Sequence, residues 1–146
     1  MDLFKKYLIV GGLPDAVNSF LQNKNVQLIR EIQTEIHEYY AADAAKYDSQ
    51  NKLKIERIYD LVPSNMENKK KRVVVKDIED KKGKTFNDYS DSFEYLISSG
   101  IALGVQAISN PIFPLIETTS KNLIKLYLND VGILTSILYK NNIRAI

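Results

Sequence analysis

Apolar positions recur at helical spacing along most of the chain, and the clearest set runs through Phe86, Tyr89, Phe93, Leu96 and Ile97. These fall on one stripe of an α-helix, which Gly100 ends; beyond it Ile101, Leu103 and Val105 alternate as in a strand. The pattern predicts one buried helix, capped by Thr85 or Asn87, running into a strand that reaches Ile108. A return strand over Leu123–Leu128 would close a hairpin whose tip carries Pro111, Ile112, Phe113 and Pro114. Asp130 then stands as N-cap of a last helix, Val131 to Tyr139.

Upstream, Asp2 is placed to cap a short helix with Leu3, Phe4, Tyr7 and Leu8, which ends at Gly11-Gly12. Pro14 opens a second helix through Ala16, Val17, Phe20 and Leu21, because a first turn has no amide hydrogen bond for proline to lose. From Asn25 to about Lys46, Ile29, Ile32, Ile36, Tyr39 and Tyr40 recur at steps of three and four. The opposite face, with Arg30, Glu31, Glu35, Glu38 and Asp43, suits solvent or a polar interface. Leu53, Ile55, Ile58, Tyr59 and Val62 predict a further helix stopping at Pro63, then a short one with Ser64 and Glu67 as capping box. Val73–Val75 read either as a strand or, with Ile78, as one side of a short helix. The fold class is mainly α with a small β hairpin: a helical segment over residues 1–50, then a winged-helix-like domain over 51–146.

Composition narrows the chemistry. No cysteine is present, so disulfides, thiolate metal sites and cysteine nucleophiles are excluded. His37 is the single histidine, and no apolar run has the length of a membrane span or the form of a secretory leader, so a cytoplasmic protein is expected. The chain carries a net charge of +2, with the excess concentrated in Lys52–Lys84, 11 basic residues against 6 acidic. Gly11-Gly12 lacks the spacing and the Lys-Ser/Thr of a phosphate-binding loop. Carboxylate groups such as Asp77, Glu79 and Asp80, or Asp88 and Asp91, pair with no nucleophile or base, so catalysis, metal and cofactor binding are not expected of these residues.

Four blocks, KYLIVGGLPDAV (Lys6–Val17), KIERIYDLVPSNM (Lys54–Met66), YLISSGIALGVQAISNPIFPL (Tyr95–Leu115) and KLYLNDVGIL (Lys125–Leu134), occur in an order that resembles a family of prokaryotic ATPases. In that family an AAA-type P-loop core is followed by the domain of unknown function 4143. The resemblance implies an accessory region C-terminal to such a core, with helices before a winged-helix-like unit. ATP and Mg would belong to the intact protein, since this chain has no P-loop onto which nucleotide-binding residues could be carried. Expected partners are the chain's own ATPase core, a neighbouring subunit or a second copy. The alternative is nucleic acid, met by Lys69, Lys70, Lys71, Arg72, Lys81, Lys82 and Lys84. The predicted helix over 86–98 turns Asn87, Asp88, Asp91, Glu94 and Ser98 outward, a poor surface for a polyanion.

Overall fold

The computed structural model describes residues 2–47, 52–67, 72–114, 119–140 and 142. The chain is mainly α with one small antiparallel sheet. In order, the elements are α1 (Leu3–Val10), α2 (Pro14–Asn23), α3 (Val26–Tyr47), α4 (Lys52–Glu67), α5 (Val75–Ile78), α6 (Ser90–Ser98), β1 (Ala102–Ile108), β2 (Thr119–Leu128) and α7 (Val131–Tyr139). Among the described residues no helix is long and apolar enough to cross a membrane.

Two compact units emerge: Met1–Asp43 with Leu128–Ile146, and Ala44–Tyr127. The division differs from the one expected at residue 50, because the closing helix α7 packs on α1 instead of completing the second unit. Sequence proximity to the hairpin had suggested the opposite. Hydrogen bonds to the end of α1, described below, decide the matter.

In the first unit Val10, Ala16 and Ile29 form a small buried cluster, flanked by Leu13, Val17, Phe20 and Ile32. Asn25 starts α3 by accepting from the backbone N–H of Gln27 and Leu28, at 3.0 and 3.3 Å. The isoleucine stripe of α3 is core only at its start, since Ile29 is buried, Ile36 is half-buried and Tyr39 is exposed. Asp2 occupies the N-cap position of α1 but makes no side-chain capping bond.

In the second unit the stripe of α4, Ile55, Ile58, Tyr59 and Val62, is buried together with Tyr89, Phe93 and Leu96. Pro63 does not stop α4, which runs on to Glu67 with the proline inside it. A proline there forfeits one i→i−4 bond, and Pro63 is itself buried, so packing outweighs the lost bond. The helix expected from Phe86 is split into a 3₁₀ turn, Phe86–Tyr89, and α6. Thr85 and Asp88 form a reciprocal capping box around that turn, and Phe86 stacks on Phe93 with ring centroids 4.7 Å apart. Val75–Ile78 is helical, while the Val73 N–H donates to the Ile124 carbonyl of β2 at 2.9 Å, so both readings of the valine run hold in part.

Candidate functional site

The hairpin alternates as a half-buried ribbon must. Ile124, Leu126 and Leu128 of β2 are buried, with Lys125 and Tyr127 between them half-exposed. Gly104 of β1 faces Ile97 of α6 and Ile124, so closely that a Cβ would lie 3.0 Å from Ile97 Cγ1. From Leu103 onward every residue of β1 is exposed, including Leu103, Val105 and Ile108. Beyond the strand Pro111, Ile112, Phe113 and Pro114 are all exposed, Phe113 at 85%. No charged residue occurs from Tyr95 through Pro114. Edge strands usually carry charges or proline that discourage pairing; β1 has neither, and its outer edge has no strand beside it among the described residues.

Of the basic candidates, Lys81, Lys82 and Lys84 line one pocket together with Lys76, Glu79 and Asp80. Lys69, Lys70 and Lys71 lie outside the described residues. Lys81 is paired with Glu79, which also receives Arg57 at 3.6 Å and the Tyr89 hydroxyl at 3.2 Å. These partners, Lys81 first, hold the Glu79 carboxyl below its usual range. Burial, aided by Glu79, raises the Tyr89 phenol. The Thr85 backbone N–H and hydroxyl hold the Asp88 carboxyl below its usual range, aided by Lys84, which is paired with it at 3.3 Å. Lys82 and Arg72 are exposed. The outward face of the 3₁₀ turn and α6 carries Asn87, Asp88, Asp91, Glu94 and Ser98, all exposed as expected.

A third constellation lies in the first unit and joins blocks far apart in sequence. The last four carbonyls of α1 would be orphaned by helix geometry, and each has a donor. Gly11 N–H donates to Tyr7 at 2.8 Å, and the Thr135 hydroxyl donates to Leu8 at 2.6 Å. Gln33 Nε2 donates to both Ile9 and Val10, at 2.9 and 3.0 Å. Arg30 completes the network, its Nη1 reaching Gln33 Oε1 at 2.9 Å, Thr135 Oγ1 at 2.9 Å and the Gly132 carbonyl at 3.1 Å. Burial lowers the guanidinium pKa. Its charge sits at the negative end of the α1 dipole, which supplies compensation in place of a carboxylate.

Asp130 mirrors that arrangement at the other sign. Its Oδ1 caps α7 by accepting from Ile133 N–H at 3.1 Å, and its Oδ2 accepts from Gly12 N–H at 2.6 Å. The carboxylate lies so close to Gly11, whose φ is +70°, that a Cβ there would sit 2.8 Å from Asp130 Cγ. Gly132 likewise leaves room for Gln33 and the Val10 carbonyl. The capping role expected of Asp130 holds. Arg30, assigned by periodicity to a solvent or interface face, is instead buried, and Gln33 and Thr135 carried no signal because their acceptors are backbone groups. The nearest hint was the coincidence of Gly11-Gly12 with Gly132, two residues after Asp130, a mark of close backbone approach.

The carboxylates of Glu79 and Asp88 are engaged in ion pairs, that of Asp130 in a helix cap, and the Thr135 hydroxyl on a backbone carbonyl. Among the described residues no group of three His, Cys, Asp or Glu could hold a metal ion.

A family model described as Domain of unknown function (DUF8612) matches residues 1–143. The chain belongs to this family. No curated protein and no solved structure matches it. The DUF8612 match runs from before α1 to beyond α7, and so takes in both units and all three constellations.

Proposed function

We propose that this DUF8612 chain is a non-catalytic interaction region of a prokaryotic AAA-type ATPase, and that it binds its own ATPase core or a neighbouring subunit through the hairpin. The observation that carries this reading is the uncharged run from Tyr95 to Pro114, which exposes Leu103, Val105, Ile108, Ile112 and Phe113. An apolar surface of this kind on a two-stranded ribbon marks a contact site more often than a solvated loop. The link to an ATPase rests on the four sequence blocks and stands or falls with them.

Co-sedimentation of the chain with the purified ATPase core from the same organism tests it. Binding is expected, and Phe113→Asp together with Val105→Lys should abolish it. Failure of the wild-type chain to bind at high micromolar concentration overturns the proposal.

Nucleic acid is the second reading, favoured by the exposed Arg72 and Lys82. The ion pairs of Lys81 and Lys84 and the acidic face of α6 weigh against it. Fluorescence anisotropy with duplex DNA decides between the two: salt-sensitive binding lost on Lys82→Glu would favour it, and no binding at low salt would remove it.

A further inference from the structure

Arg30 uses one side of its guanidinium: Nη1 makes the contacts with Gln33, Thr135 and Gly132, whereas Nε and Nη2 have no hydrogen-bond partner among the described residues although Arg30 is only 5% exposed. Those two nitrogens share one edge, where their N–H bonds run parallel. That fork matches the two oxygens of one carboxylate, each taking one N–H, better than it matches a single oxygen. A buried charged donor pair without acceptors is rare enough to need an explanation.

Arg30 also lines a groove of about 580 Å³ within the first unit, between α3 and α7. The volume lies in the usual range for small-molecule sites. Its lining carries both signs of charge, Arg30 and Lys140 positive, Glu31 and Glu35 negative. Glu31 and Glu35 would repel a polyanion such as a nucleotide, while a simple cation would leave Arg30 unmet. A molecule bearing a carboxylate next to a cationic group satisfies both.

We propose that the α3–α7 groove binds a small zwitterion of amino-acid type: its carboxylate takes the Nε/Nη2 edge of Arg30, and its ammonium or side-chain cation lies against Glu31 and Glu35. Basic amino acids, with an extra positive charge for the two glutamates, fit best. The two nitrogens are shielded from solvent in this structure, so lining side chains change rotamer as the ligand enters. The inference is independent of the hairpin and of any ATPase.

Titration of the chain with the free L-amino acids, followed by calorimetry and by the NMR signal of the Arg30 Nε–H, tests it. A basic amino acid should bind with a dissociation constant of about 1 mM or tighter and shift that signal. Glu35→Gln, a change on the groove wall, should weaken binding of basic amino acids by about tenfold. Arg30→Lys, which keeps the charge but loses the fork, should abolish binding. An unmoved Nε–H signal with every amino acid at about 10 mM overturns the proposal. Binding that Glu35→Gln leaves unchanged does so too, even where Arg30→Lys fails to fold.

Discussion

The two units solve the same problem, holding short helices together, by different means. In the second unit α4 and α6 meet through apolar side chains spaced at helical intervals, with Tyr59, Tyr89 and Leu96 almost wholly buried. In the first, α1, α3 and α7 meet through polar side chains that satisfy the end of one helix and the start of another. The second arrangement tolerates approximate shapes as long as volume is kept, whereas the first requires particular atoms at particular distances. Substitutions too small to disturb an apolar core should therefore be severe in the first unit.

Two glycines give the largest separation. Gly11 and Gly100 both have positive φ, +70° and +74°, so alanine is strained at either. At Gly100 nothing lies within 4 Å of the new Cβ, and the cost should be about 1 kcal/mol. At Gly11 the methyl also meets Asp130, and the cost should reach about 3 kcal/mol or more, read from urea unfolding of each variant. Equal losses at the two sites would show that the close packing around Asp130 yields easily, and the contrast between the units would fail.

Asp130→Ala and Thr135→Val probe the same network without adding atoms. Asp130→Ala removes the α7 cap and the Gly12 acceptor, for an expected loss of about 2 kcal/mol. Thr135→Val keeps shape but orphans the Leu8 carbonyl and one contact of Arg30, for about 1–2 kcal/mol. A double-mutant cycle should show coupling between them if the network acts as one body, and simple additivity if it does not.

These contrasts also explain what could be read from the residues alone. The stripe Tyr89, Phe93 and Leu96, the hairpin, Pro14 at the start of α2 and the cap at Asp130 were legible because periodicity and capping chemistry are local. The helix running through Pro63 was not, since burial of the proline outweighs its broken bond only in the folded core. Nor was the return of α7 to α1. The donors that fix it, Arg30, Gln33 and Thr135, recognise backbone carbonyls more than twenty residues away, and a carbonyl has no letter in a sequence. Of the candidate surface, the exposed tip at Pro111–Pro114 was legible, while the pairing of Lys81 and Lys84 with Glu79 and Asp88 emerged only from the fold.

Acid should discriminate the units as well. The Glu79 carboxyl in the second unit is held down in the folded state by Lys81, Tyr89 and Arg57. Its contribution is complete above the unfolded value of about 4.3 and is lost as pH falls through the lower folded one. The advantage of the wild-type chain over Glu79→Gln should therefore be small and constant near neutrality and fade below about pH 4.3. Thermal melts across that range check it; a difference that grew on acidification would mean that Glu79 is not the group held down.

The smallest effect on stability is expected where the effect on binding is largest. Val105 and Leu103 are about half exposed on β1, and the charge of a lysine at either would stay in water, so folding should change by no more than about 0.5 kcal/mol. Yet a lysine on an unpaired edge opposes the addition of another strand, because its ammonium would lose water against the side chains of the incoming strand and, in a second copy, would face a like charge. Val105→Lys should thus melt with the wild type while losing any self-association seen by sedimentation at high concentration. The opposite result, a destabilised chain that still associates, would mean that the hairpin belongs to the core of the second unit. The comparison between the units would then be one of two packed cores, with the contact surface to be sought on another face.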